Sequence, residues 1–254
     1  MKKILIIVSM ACFLIACEGK KDPLAQYQGL SAKQIDESAE LQLKKGNYAT
    51  AAEQFEALDN LYPFSPYAEQ AQIDLMFAYY KNDDMPQALA AAERYIHLYP
   101  QGSRVDYAYY MKGLIEYKDG LTWLQQFFGL NPAKRDQQHM TEAYHAFNEL
   151  VQRFPKSEYR QDALAHMAYI RNQIAQEEIE VARFYLYHKA YVAVVNRATD
   201  VINNYPQSPA VVKALALNVR AYRALKQPEL ANRYLELLRV NYPDSREYRR
   251  LSSS

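Results

Sequence analysis

The residues with chemistry to offer are few, and most are badly spaced for using it. Histidine occurs at His97, His139, His145, His166 and His188. None pairs at i, i+4 and no His-Glu-x-x-His occurs, so no helix face offers two imidazoles to one metal ion. His139 and His145 are six apart, hence on different faces of a helix. All five read as surface or helix-end residues. The carboxylate pairs Asp83-Asp84 and Glu177-Glu178 fall in a turn and on a charged helix, where they read as solvated. No two glycines are spaced for a phosphate loop, and no Gly-x-Ser-x-Gly elbow is present. The chain is expected not to be an enzyme and to hold no metal or cofactor.

One thiol is placed with purpose. Lys2 and Lys3 precede an apolar run of 13 residues, Ile4 to Ala16. At ~1.5 Å per helical residue such a run reaches ~20 Å, short of a ~30 Å bilayer core, so it reads as a secretory segment. It ends in Leu14-Ile15-Ala16-Cys17, which resembles the lipobox of bacterial lipoproteins. That likeness implies cleavage before Cys17 and covalent diacylglycerol and N-acyl lipid on it. Several acyl chains at ~0.8 kcal/mol per buried CH₂ anchor firmly. Glu18 follows; in lipoproteins an Asp there favours inner-membrane retention, so its absence favours the outer membrane.

Removal of 1–16 leaves 28 basic and 29 acidic residues, a net of −1. Nothing in that balance points to nucleic acid. With one modified cysteine no internal disulfide forms, so stability must come from packing. The 238 remaining residues, from a sequence half apolar, suffice for that.

The elements are announced by five aromatic-proline pairs: Tyr62-Pro63, Tyr99-Pro100, Phe154-Pro155, Tyr205-Pro206 and Tyr242-Pro243. Serine follows at Ser65, Ser103, Ser157, Ser208 and Ser245, and the prolines stand 37, 55, 51 and 37 apart. Twelve residues before each proline stand Ala51, Ala88, Ala143, Val194 and Ala231. Eight before are Phe55, Ala92, Phe147, Ala198 and Leu235; five before are Leu58, Tyr95, Leu150, Val201 and Leu238. Offsets of 4 and 3 put each trio on one helical face, with the small side chain where helices approach closely. The proline stops the helix and the aromatic staples its end.

This is the tetratricopeptide pattern, with Lys45-Gly46-Asn47-Tyr48 as a turn between paired helices and Lys189-Ala190-Tyr191 repeating it. The fold class expected is all-α: a right-handed superhelix of five helix hairpins, about ten helices. The divisions are a signal peptide 1–16, acylated Cys17 with a flexible tether 17–30, repeats 1–3 over 31–155, repeats 4–5 over 156–243, and a basic, serine-rich tail 244–254. Repeat 3 carries an insert, 119–135, whose Leu121, Trp123, Leu124, Phe127 and Phe128 are expected to fold back rather than face a partner. Residues 158–187 contain neither Gly nor Pro, so the first helix of repeat 4 is expected to be long. Such repeats offer surfaces to other proteins. Tyrosines are plentiful, at Tyr62, Tyr67, Tyr79, Tyr80, Tyr107, Tyr109, Tyr110 and Tyr117 among others. Most are expected to pack between helices; neighbours such as Tyr79-Tyr80 cannot all face one core.

More specific blocks follow: Ala57-Leu58-Asp59-Asn60-Leu61-Tyr62-Pro63-Phe64, Asp74-Leu75-Met76-Phe77-Ala78-Tyr79-Tyr80-Lys81, Phe127-Phe128-Gly129, Arg135-Asp136-Gln137-Gln138-His139 and Val194-Val195-Asn196-Arg197. With the lipobox and the repeats, they resemble the BamD family, lipoprotein subunits of the β-barrel assembly machinery, over nearly the whole chain. Ser65 stands where glycine is expected before Pro66. The resemblance implies an outer-membrane lipoprotein with its body in the periplasm. Its C-terminal repeats would bind a POTRA domain of BamA, with Arg197 a contact and Arg220 and Arg223 on the same side. Its N-terminal repeats would receive the targeting segment of unfolded outer-membrane proteins, at an end marked by Tyr62, Phe64, Tyr67 and Tyr79. A BamC-like accessory lipoprotein is a further implied partner. Spacing leaves Arg197 an alternative, an internal ion pair with Asp200 or Glu180. The other function the repeats allow is that of a different lipoprotein scaffold, for pilus secretin assembly or cell-wall synthase activation. Charge is polarised: residues 211–254 carry nine basic and four acidic residues, residues 17–60 five basic and eight acidic. A basic end suits an acidic partner.

Overall fold

The computed structural model describes residues 24–119 and 137–253. The segment 1–16, Cys17, and most of the insert, with Leu121, Trp123, Leu124, Phe127, Phe128, Gly129 and Arg135, lie outside the described residues. Among the described residues there is a 3₁₀ turn, Ala25–Tyr27, eleven α-helices and no strand. The helices are α1 Ala32–Lys44, α2 Tyr48–Leu61, α3 Ala68–Lys81, α4 Met85–Leu98, α5 Val105–Asp119, α6 Gln137–Arg153, α7 Arg160–Tyr187, α8 Tyr191–Asn204, α9 Ala210–Ala224, α10 Pro228–Asn241 and α11 Arg246–Ser252. The first ten follow the expected order of helices, and α1–α2, α5–α6, α7–α8 and α9–α10 pack as pairs. The chain divides into two units, one ending at Ala78 and one beginning at Tyr79, so the boundary falls inside α3.

The aromatic-proline pairs end the helices as their chemistry requires. A proline disfavours α backbone in the residue before it, and Tyr62, Tyr99, Tyr205 and Tyr242 all leave that region, with φ between −124 and −139°. The N–H of each aromatic still donates to the carbonyl four residues back: Tyr62 to Leu58, Tyr99 to Tyr95, Phe154 to Leu150, Tyr205 to Val201 and Tyr242 to Leu238, at 2.8–3.0 Å. Its own carbonyl then accepts from the residue three on, Ser65, Gly102, Ser157, Ser208 or Ser245, closing a turn with proline second. The serine hydroxyls help start the next helix: Ser245 Oγ accepts from the Tyr248 N–H at 3.1 Å, and Ser208 Oγ from the Ala210 N–H at 3.3 Å.

Within pairs the turn is of another kind. Gly46, Asp83, Lys189 and Lys226 take φ of 79, 66, 59 and 59°. The following N–H closes back five residues: Asn47 to Gln42, Asp84 to Tyr79, Ala190 to Tyr185 and Gln227 to Tyr222. This left-handed cap satisfies the last carbonyls of the first helix and reverses the chain in three residues.

In the first unit Ile35, Ala39, Ala51, Phe55, Leu58 and Met76 are within 1 % of full burial. Tyr48 meets the Phe77 ring edge-on at 6.4 Å. The segment expected as a flexible tether ends in packed structure, because Tyr27 is buried and the Tyr62 hydroxyl donates to the Leu30 carbonyl at 2.6 Å.

In the second unit successive helices pack from α4 to α11, and α7 also touches α9. α5 and α6 approach so closely at Gly113 that a Cβ there would stand 2.5 Å from the Phe147 ring. Phe147 in turn stacks on His166 of α7. α7 runs unbroken for 28 residues. The expected tail is instead a helix, α11: Leu251 is 5 % exposed, and Arg223 Nη2 donates to its carbonyl at 3.0 Å.

Candidate protein-binding surfaces

The loop between α2 and α3, in the first unit, presents Phe64 almost naked, at 98 % exposure. A phenyl ring left in water forgoes ~1.5–3 kcal/mol of burial. A lone exposed ring is ordinary; this one is set apart by how it is held. Pro63 and Pro66 flank it, the Ser65 N–H donates to the Tyr62 carbonyl at 3.0 Å, and Tyr62 is tied to Leu30. Little backbone freedom remains to be lost when a partner covers the ring. Tyr67 is half-buried and begins the next helix, its carbonyl accepting from Ala71. Tyr79 belongs to the second unit, where it is half-buried and its carbonyl accepts from the Asp84 N–H. The first unit therefore gathers three of the four aromatics expected at this end.

Packing explains most tyrosines named from the sequence. Tyr109 is buried; Tyr62, Tyr67, Tyr79, Tyr80, Tyr107, Tyr110 and Tyr117 are half-buried and none is fully exposed. Tyr110 stacks on Tyr159 at 4.8 Å and donates to Asp162 at 2.6 Å. Burial, then that bond, holds its hydroxyl pKa far above the ordinary tyrosine value.

The second surface gathers the basic residues of α7 to α11. Arg197 of α8 donates through Nη1 to both carboxylate oxygens of Glu178, at 3.0 and 3.2 Å. Glu178, on α7, is 8 % exposed. The sequence offered Asp200 and Glu180 as internal partners; the structure instead selects Glu178, which faces α8 across the hairpin. Bonding to Glu178, then its charge, raises the Arg197 pKa further above its ordinary value. Half of the Arg197 side chain stays in solvent, and among the described residues Nε and Nη2 have no acceptor. Arg223 is committed to Leu251. Arg220 has no such tie: it faces a cleft of about 140 Å³ with Arg183, Lys213 and Arg250. Lys213 and Arg250 were visible in the charge excess of 211–254, whereas Arg183 gave no signal in the sequence.

The histidines keep structural company. His139 Nδ1 lies 2.7 Å from Glu116 and His166 Nε2 lies 3.3 Å from Asp162. Among the described residues no group of three or more His, Cys, Asp or Glu converges as for a metal. No described helix is long and apolar enough to cross a membrane.

Comparison with known proteins gives the chain a family. The family described as YfiO, outer membrane lipoprotein, matches residues 29–246. The chain is similar to outer membrane protein assembly factor BamD of Neisseria gonorrhoeae, 39 % identical over 96 % of this chain and 93 % of that one. It is similar also to BamD of Haemophilus influenzae, 36 % identical over 94 % and 90 %, and of Vibrio cholerae, 33 % identical over 90 % and 93 %. Among solved structures, Pseudomonas aeruginosa pilF aligns with a TM-score of 0.38 at 16 % identity, covering 87 % of this chain and 96 % of that one. From its repeats, its Tyr-Pro-Phe loop and relatives matched along almost their whole length, the chain belongs to the BamD family of outer membrane lipoproteins.

Proposed function

We propose that this chain is a lipid-anchored scaffold of β-barrel assembly at the periplasmic face of the outer membrane. Cys17 carries the acyl chains, and the helical body performs no reaction. The relationship to BamD assembly factors, unbroken along nearly the whole chain, carries the reading. In it, the basic surface of α7 to α9 binds a POTRA domain of BamA. The Phe64 loop takes the targeting segment of unfolded outer-membrane proteins, and a BamC-like lipoprotein docks nearby.

The chemistry of each surface supports its assignment. A targeting segment of a future barrel strand carries apolar side chains, for which a solvent-exposed phenyl on a restrained loop is a ready contact. Arg197, oriented by Glu178, offers unused donors to a carboxylate on a partner, and Arg220 adds an unpaired charge on the next helix, α9. Two variants separate the assignments in calorimetric titrations of the full chain. Phe64→Ala is expected to weaken binding of a targeting peptide by ~1–3 kcal/mol and leave BamA POTRA binding unchanged. Arg220→Ala is expected to do the reverse, by ~1–2 kcal/mol. If either variant affects both ligands, or neither, the two-surface assignment fails.

A further inference from the structure

The cleft beside Arg220 has a composition that partner docking alone does not call for. Arg183 enters it from α7, Lys213 and Arg220 from α9, and Arg250 from α11. Lys213 and Arg220 are seven apart, with Ala216 and Leu217 between them on the same helical face. Those two are buried, at 5 and 4 % exposure, and floor the cleft with apolar surface. One carboxylate, Glu247, joins the lining, so four cations face one anion, a net of +3. An apolar floor keeps the field of these charges from being fully screened.

Two of the four cations are already engaged. Arg183 donates to Glu180 at 2.9 Å and Lys213 to Gln176 at 2.7 Å. Arg220 and Arg250 have no side-chain acceptor among the described residues. Two open guanidinium forks thus approach one small cleft from different helices, beside two further positive charges. A carboxylate has two oxygens and satisfies one fork. A phosphate has oxygens for both, and its greater charge answers the net of +2 that remains once the Glu180 paired with Arg183 is counted. A volume near 140 Å³ fits such a group and not a stretch of chain.

We infer that the cleft between α7, α9 and α11 is a binding site for a phosphate group, free or borne by a phospholipid headgroup. The site needs no second protein. Arg220 also belongs to the surface proposed for BamA, so the test uses the full chain in detergent with no partner present; failure here leaves that reading standing.

Inorganic phosphate is titrated calorimetrically in a chloride buffer at constant ionic strength, with acetate as the competing carboxylate. Saturable binding of phosphate, with acetate a weaker competitor, is expected. Arg220→Gln and Arg250→Gln are each expected to weaken it about tenfold, the loss of one charge-assisted fork. Glu247→Gln is expected to tighten it, because it removes the anion that repels the ligand. Co-sedimentation of the Cys17→Ala chain, which lacks the lipid anchor and needs no detergent, with vesicles of phosphatidylcholine, with and without phosphatidylglycerol, distinguishes the sources. Binding that needs phosphatidylglycerol and both arginines assigns a headgroup; phosphate binding without it assigns a free anion. Heat that does not saturate, phosphate affinity equal in the parent and both arginine variants, or acetate binding as tightly as phosphate would overturn the proposal.

Discussion

Arg197 and Asp36 show how one side chain can be either fixed or penalised by its neighbours. Arg197 holds Glu178, which is nearly buried, so removing the guanidinium strands a carboxylate away from water. Arg197→Ala is expected to lower stability by ~1–3 kcal/mol, the cost of an unsatisfied buried acceptor. The double variant with Glu178→Gln should recover part of it in thermal melts. Were Arg197 an isolated surface residue, its loss would cost under ~0.5 kcal/mol and the second change would rescue nothing. Asp36 on α1 is the opposite case: it is 8 % exposed. Burial first, then the charges of Glu40 and Glu37, raises its pKa above the ordinary 3.8. Folding therefore favours the protonated acid. Its stabilising contribution is complete below the unfolded pKa and is lost as pH rises through the folded one. At neutral pH Asp36 is a liability, so Asp36→Asn should melt higher than the parent. The advantage should shrink as the pH is lowered toward 3.8. A constant difference across that range would show that ionisation is not its origin.

At the scale of elements, the hairpin turns form a natural experiment in backbone strain. The same left-handed cap is taken by Gly46, where it is cheap, and by Lys189 and Lys226, where a Cβ crowds the carbonyl. An added Cβ at Gly46 would meet nothing within 4 Å, so any cost of Gly46→Ala is backbone strain alone. That variant is expected to lose ~1 kcal/mol and Lys226→Gly to gain ~0.5–1 kcal/mol, read from denaturant midpoints. Changes of the same sign in both would mean that the turn geometry is not what sets stability here. The helix ends carry no such strain, because the residue before proline is driven out of the α region by its neighbour.

On the scale of the whole molecule, the question is what holds the body at a membrane. No described helix can span one, and the proposal assigns that task to lipid on Cys17. Cys17→Ala should then move the protein from the membrane pellet to the soluble periplasmic fraction with its melting temperature unchanged. Retention in the pellet after a salt wash would require a protein or headgroup contact strong enough to replace the lipid.

What the sequence determined alone was the set of elements and the faces they bury. Of the fifteen positions counted back from the prolines, fourteen are buried in the structure and one, Leu235, is partly buried. Helical periodicity and proline's lack of an N–H are local rules, so they can be read from neighbours in the chain. Leu235 is the exception because α10 belongs to the last pair and has only short α11 beyond it. The start of α11 is local, in the Ser245 cap, but that it packs on the body depended on Leu251 finding the apolar surface of α9, which no local pattern announces. The partners of polar groups were decided in the same way. Glu178 was chosen over Asp200 and Glu180, and Arg183 was brought beside Arg250, by how the long α7 lies against α8 and α9. Contacts between helices depend on rotation and offset along their axes, set by the shapes that fill the core; charge alone carries no such information along the chain.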